Sequence, residues 1–354
     1  ESAMAWQILT QIRLPRTLGA WLAGALLGLA GGLAQGLFRN PLADPYLLGT
    51  ASGASLGVAL LLVAWGTGAG MVGLNPFSES WWARFGLTSA AFCGALLAVM
   101  LTFWLARGVG QALRLLLSGV VVGVVLGGLT SLLMLYTPAA LPAMQGFLLG
   151  TTAFVGWSAV GLMTAVWLLG LALACLLARV LDALSLGQDT ALSLGLPLNA
   201  VRAMLVGVLA LTSATAVAQC GLIAFVGLVA PHLVRSVTQT TYRWLLPLAS
   251  LTGAALLCAA DLLARWCMAP QEWPVGVLCS VLVAAAPPEG PSLALASAAA
   301  AALCACCTEH GANAAACCAH PGAVAALGGL LGCCRSEEHT SELQSRQYLV
   351  CRLL

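Results

Sequence analysis

The chain has 354 residues, 61% of them hydrophobic and only 7% charged, with a formal net charge of +2. Soluble domains carry about 25% charged residues, so this composition excludes an ordinary water-soluble globule and points to an all-α polytopic membrane protein. A balance this close to neutral offers no basic face for phosphates, which excludes nucleic acid as a partner.

All fourteen basic residues are Arg, which together with the Ala, Gly and Leu richness reads as GC-rich coding. The chain begins at Glu1 without a Met, part-way through a polar segment, and shows no cleavable signal peptide, so its N-terminus is expected to be truncated.

The stretch Arg13 to Pro45, RLPRTLGAWLAGALLGLAGGLAQGLFRNPLADP, organises the rest. From Thr17 to Phe38 it has no charged side chain and is long enough to cross the roughly 30 Å hydrocarbon core as a helix. Ala20, Gly24, Gly28, Gly32 and Gly36 recur every fourth residue, so one face is nearly bare of side chains and forms a groove for another helix.

Pro41 and Pro45 break the chain after this span. Tyr46 to Trp65 is expected to cross back, with a ladder of its own at Gly49, Gly53 and Gly57. The loop Gly66 to Arg84 holds Trp81 and Trp82, expected interface anchors. Gly86 to Ala106 and Leu115 to Tyr136 are the next spans, the latter with Gly119, Gly123, Gly127 and Ser131 at the same spacing. Thr137 to Gly156 is too polar and Pro-broken to cross and predicts a short helix at the membrane surface. Trp157 to Ala178 is the fifth span.

Arg179 to Arg202, RVLDALSLGQDTALSLGLPLNAVR, alternates apolar residues with Asp182, Ser185, Gln188, Asp189 and Ser193. Gly187, Gly195 and Pro197 split it into two short helical pieces, the pattern of a docking element. Ala203 to Gln219 and Gly221 to Val237 form a short pair, followed by spans over Trp244 to Ala264 and from Trp273 onward. His232, about one turn from Arg235, is expected to be structural or interfacial.

With the Arg179 to Arg202 segment on the cytoplasmic side, that side also receives Arg39, Arg107, Arg114, Arg235 and Arg243. The opposite side receives Arg13, Arg16, Arg84 and Arg265, so the positive-inside rule supports this orientation. Arg13, Arg16 and Arg265 then form a basic cluster on the outer face, suited to bidentate pairing with a partner's carboxylates. A faint inverted repeat relates Arg16…Ala34-Gln35-Gly36 to Arg202…Ala218-Gln219-Cys220-Gly221.

The blocks RLPRTL (13–18), AQGLFRNPLADPYLLGTASGASLG (34–57), LSLGQDTALSLGLPLNAVR (184–202), GLIAFVGLVAPHLVR (221–235), LLPLASLTGA (245–254), ADLLAR (260–265) and EWPVGVL (272–278) stand in order. Together they resemble the membrane permease subunits of bacterial ABC importers for iron-siderophores, haem and cobalamin. The resemblance spans roughly residues 7–284.

It implies the ten-helix type II ABC importer permease fold, with about nine spans present here, in the bacterial cytoplasmic (inner) membrane. The implied partners are a second permease copy, identical or closely related, two cytoplasmic ABC ATPases, an extracytoplasmic substrate-binding protein and the surrounding lipid bilayer. Arg13, Arg16 and Arg265 match positions that meet acidic residues of the binding protein. The segment holding Ser185, Leu186, Gly187, Gln188, Asp189, Leu194, Gly195, Leu196 and Pro197 matches the short helices that couple to the ATPases. The implied cargo is a ferric siderophore, with cobalamin or haem as alternatives, moved by alternating access.

Residues 1–284 are expected to be the permease domain. Residues 285–354, with abrupt Ala, Pro and Cys enrichment and the run RSEEHTSELQS (335–345), read as a frameshifted, adapter-derived tail. The cysteines of residues 1–284 are scattered in apolar segments and the tail spacings match no zinc pattern, so neither metal nor cofactor is expected.

No catalytic residues are expected either. The chain has no Lys and hence no phosphate-binding Gly-Lys-Ser/Thr loop, so ATP hydrolysis belongs to a separate subunit. An ion-coupled secondary transporter would need intramembrane ionisable groups, and the spans offer little beyond His232 and Asp261.

Overall fold

The structure is a computed structural model that describes residues 2–67, 81–106, 112–187, 193, 197–266 and 274–284. Glu1–Arg265 with Ala269–Ala284 make one compact unit. The second, Trp266–Met268 with Ala285–Leu354, lies outside the described residues except for Trp266, so the reading of the tail does too.

The helices are α1 (Ser2–Ile8), α2 (Leu14–Phe38), α3 (Thr50–Thr67), α4 (Trp81–Leu105), α5 (Ala112–Tyr136), α6 (Leu141–Leu149), α7 (Trp157–Ser185), α8 (Leu198–Cys220), α9 (Val226–Val237), α10 (Tyr242–Trp266) and α11 (Val275–Ala284). A π-helical turn over Leu9–Arg13 joins α1 to α2, and a 3-10 turn, Pro45–Leu48, precedes α3. Among the described residues six helices are long and apolar enough to cross a membrane. Shorter apolar helices are α3, over Thr50–Ala64, the Pro138–Leu149 stretch that contains α6, and α9.

Helix α2 is the axis of the bundle, with 20 of its 25 residues buried. Its ladder meets α10 in antiparallel register: Gly24 lies on the Gly253 carbonyl, Gly28 on the Ala249 carbonyl, Gly32 on Leu246 and Gly36 on the ring of Tyr242. A Cβ at Gly24 or Gly28 would overlap backbone that has nowhere to go, so the absence of side chains sets the spacing of the two helices. Ser250 of α10 donates to the Ala25 carbonyl at 3.0 Å and accepts from Trp167 Nε1 of α7 at 2.8 Å. Trp167 meets Trp21 edge to face at 5.3 Å.

A second bare strip, at Gly31, was hidden in the run of glycines. It packs against the Gly227 carbonyl of α9, the carbonyl that Pro231, lacking an N–H, cannot bond four residues on. Helices α3 and α4 repeat the device, Gly53 against Gly94 and Gly57 against the Ala90 carbonyl.

Several expectations are corrected. Gly49 is not a rung of the α3 ladder: it closes the 3-10 turn at φ +79°, a left-handed conformation that glycine adopts without a Cβ clash, and there it packs on α5. In α5, Gly119 packs on the Leu47 carbonyl, Gly123 has only ordinary contact with Ser52, and Gly127 has nothing within 4 Å. The α5 ladder therefore opens along its length.

Helix α7 does not stop at Ala178, because Leu177, Leu181 and Leu184 keep the apolar phase and bury its continuation to Ser185. The short helix expected between Thr137 and Gly156 is α6, which buries Met144 and Phe147 in one cluster with Ala54 and Val217 and leaves Leu141, Leu148 and Leu149 exposed. Helix α4 starts at Trp81, earlier than Gly86, while the side chains of Trp81 and Trp82 lie outside the described set.

Candidate functional site

Because α2 and α10 are antiparallel, the end of α10 returns to the start of α2. There Asp261, with a side chain 1% exposed, gathers the polar groups of three elements. Its Oδ1 accepts from Arg16 Nε at 3.4 Å and Arg16 Nη2 at 3.3 Å, and from the Thr152 hydroxyl in the turn before α7. Its Oδ2 is ion-paired with Arg265 Nη2 at 2.6 Å, one helical turn on. A buried carboxylate is stable only when paired, and here two guanidiniums and a hydroxyl pair it.

Two of the three arginines of the expected outer cluster, Arg16 and Arg265, share this carboxylate. Arg16 is buried against Asp261, with a side chain 11% exposed. Arg265 keeps a quarter of its side chain exposed, and Arg13 is exposed on the π-helical turn. Asp261 was not among the expected site residues; its place four residues before Arg265 was the available signal.

At the opposite end, about 30 Å away along the 20 residues from Arg16 to Gly36, four helix ends converge. Asp182 of α7 accepts from the Tyr242 N–H at 2.9 Å, satisfying one of the amides that the first turn of α10 leaves unbonded. The Tyr242 hydroxyl accepts from Arg235 Nη2 at 2.9 Å, and the same guanidinium carbon lies 5.4 Å from the ring centroid. The ring itself, with Leu181, covers the bare side of Gly36.

Helix α7 leads from here into the segment expected to couple to the ATPases. Of its residues, Ser185 ends α7 and bonds back to the Asp182 carbonyl at 2.6 Å, Leu186 is exposed, Gly187 has φ +126°, and Pro197 leads into α8. Gln188, Asp189, Leu194, Gly195 and Leu196 lie outside the described residues.

Between the two ends, both inner helices are interrupted. The 3-10 turn after α2 and the extended link Gly221–Phe225 after α8 touch each other: Tyr46 donates from its hydroxyl to the Ile223 carbonyl at 3.0 Å, and Pro45 packs on Gly227. Asp44 caps the first break, accepting from the Tyr46 N–H at 2.7 Å, and Phe225 enters α9 in the left-handed region at φ +68°. These are the two breaks of the faint inverted repeat, brought together about halfway along α2 beside Leu27 and Gly31.

Elsewhere His232 is exposed on this chain, and the described cysteines, Cys93, Cys175, Cys220, Cys258 and Cys279, are unpaired thiols. Among the described residues no group of three or more His, Cys, Asp or Glu is placed to hold a metal.

Comparison with known proteins gives this architecture a family. Over residues 1–286 the chain matches the FecCD transport family. It is 39% identical over 280 residues to the hemin transport system permease protein HmuU of Yersinia pestis, covering 78% of this chain and 80% of that one. It is 40% identical over 278 residues to the ferric enterobactin transport system permease protein FepD of Escherichia coli, covering 77% and 78%. Among solved structures, a metal-chelate type ABC transporter in an inward-facing conformation superposes with a TM-score of 0.71 at 28% identity, covering 80% of this chain and 86% of that one. An all-α permease bundle with its glycine seams is therefore the expected and the observed fold, and the chain belongs to the FecCD transport family.

Proposed function

We propose that this chain moves a ferric siderophore, delivered by an extracytoplasmic binding protein, across the bacterial cytoplasmic membrane. The coarser statement beneath it is plain: the chain is a membrane permease subunit of an ABC importer of the haem, siderophore and cobalamin family, not an enzyme. The iron chelate is supported by relatives named for ferric enterobactin, at 40% identity, and for Fe(3+) dicitrate, at 39%. A hemin relative at 39% and a vitamin B12 relative at 37% supply the competing cargoes.

In this reading the two ends of the α2–α10 pair face different partners. Arg13 and Arg265 receive carboxylates of the binding protein, and Arg16, fixed by Asp261, supports Arg265 from below. The segment Ser185 to Pro197 seats against a cytoplasmic ATPase, and a second permease copy closes the pathway. Exposed apolar residues on α4, α5 and α7, such as Leu97, Val124 and Leu176, suit lipid or that second copy.

The observation that carries the two-ended assignment is the separation of the polar clusters. The Asp261 cluster and the Asp182–Tyr242–Arg235 cluster sit at opposite ends of one helix pair, about a hydrocarbon thickness apart. The test is uptake into proteoliposomes holding this permease, its ATPase and its binding protein, with ferric enterobactin, haemin and cobalamin offered in competition. ATP-dependent accumulation of iron that haemin and cobalamin do not suppress is expected; accumulation of only haemin or cobalamin would overturn the cargo.

A further inference from the structure

We infer that Asp182 is a positioning residue for energy coupling: through the Tyr242 N–H it locks the end of α7 onto the first turn of α10. The inference rests on the reading of Ser185 to Pro197 as the segment that meets the ATPase, and it names the route by which motion of that segment enters the bundle.

The segment has two exits, and they are built differently. On the α7 side, Asp182 lies one turn before the helix end and bonds the Tyr242 N–H at 2.9 Å, while Ser185 folds back on the Asp182 carbonyl at 2.6 Å. Tyr242 is in turn held by Arg235 at the end of α9, at 2.9 Å, and its ring is wedged against Gly36 of α2. On the α8 side the chain enters through Pro197, whose side chain has no polar atom to cap the first turn. A push on the segment therefore meets a hydrogen-bonded joint at α7 and, at α8, a helix start held by the packing of Leu198 and Val201.

What lies beyond the joint gives it a destination. Helix α10 continues from Tyr242 along the α2 seam, backbone against backbone at Ala249 and Gly253, to Asp261 and Arg265. Tight packing transmits a displacement where a loose contact would absorb it. Asp182 thus joins the ATPase side to a rod that ends at the receiving face, and Arg235 brings the broken-helix element α9 into the same joint.

The experiment uses the full importer in nanodiscs and reads ATP hydrolysis with and without the ligand-free binding protein, so no cargo need be known. Asp182→Ala is expected to assemble and hydrolyse ATP basally, with its stimulation by the binding protein reduced about threefold to tenfold. Asp182→Asn keeps an acceptor oxygen for the Tyr242 N–H and is expected to restore the stimulation, which a purely charge-based role would not allow. Tyr242→Phe keeps the ring on Gly36 and removes only the Arg235 acceptor; a partial loss is expected.

Wild-type stimulation in Asp182→Ala would overturn the inference. Should that variant fail to assemble, Asp182→Ser, one atom too short to hold the Tyr242 N–H, decides in its place, reduced stimulation supporting the joint and wild-type stimulation overturning it. Cysteines placed at Ser185 and Pro197 test the underlying reading separately. Cross-linking to the ATPase supports it, and no cross-link from either site would overturn both it and the inference.

Discussion

Two glycine ladders of the same spacing meet different fates in this bundle. That of α2 is filled from end to end by α10, from the Gly253 carbonyl at Gly24 to the Tyr242 ring at Gly36. That of α5 is filled at Gly119, loose at Gly123 and open at Gly127. A four-residue repeat of small residues therefore marks a face on which a backbone could approach, and says nothing of whether one does. The difference lies in what the partner brings: α10 supplies its own small residues, Ala249 and Gly253, in register, and polar groups at both ends that fix that register. Helix α5 leaves the short turn Pro45–Leu48 behind after Gly119, touches α3 only lightly at Gly123 and has nothing against Gly127.

Variants can break this contrast in order of expected size. Asp261→Ala strips Arg16, Arg265 and Thr152 of their common acceptor and removes the carboxylate from a buried ion pair. A loss of about 3–5 kcal/mol is expected, read from unfolding of the detergent-solubilised permease. Gly28→Ala forces a methyl group onto the Ala249 carbonyl and should cost about 1–3 kcal/mol in the same assay. Ser250→Ala removes both the bond to the Ala25 carbonyl and the acceptor for Trp167, for about 1–2 kcal/mol. Gly127→Ala should change the stability of the solubilised single chain by no more than about 0.5 kcal/mol, since nothing stands in the way. If Gly127→Ala were as damaging as Gly28→Ala, the open half of the α5 ladder would have to be covered by something other than this chain.

The spans and their small-residue faces were legible in the sequence because both are local: hydropathy needs a window of about twenty residues, and a ladder is visible in four rungs. The grouping of Arg16 with Arg265 was legible from counting sides. What was not legible depends on partners far along the chain. Arg16 reads as an outer charge until Asp261, 245 positions away, is seen to bury it. Gly31 and Gly253 do their work against carbonyls more than a hundred residues distant, and only three-dimensional register identifies them.

Asp182 was read as one of several polar residues in a broken amphipathic loop. It belongs instead to the last turn of α7, because Leu181 and Leu184 are buried on either side of it. The positive φ at Phe225 has no sequence signal, since a bulky residue is among the least expected there.

The central claim is that this permease works only as the membrane part of an ATP-driven importer. The most direct measurement is uptake of a radiolabelled ferric siderophore into proteoliposomes containing the permease, with and without the co-purified ATPase and ATP, under an imposed proton gradient or none. Uptake that requires both the ATPase and ATP, and ignores the gradient, is the predicted result; uptake driven by the gradient alone would contradict it.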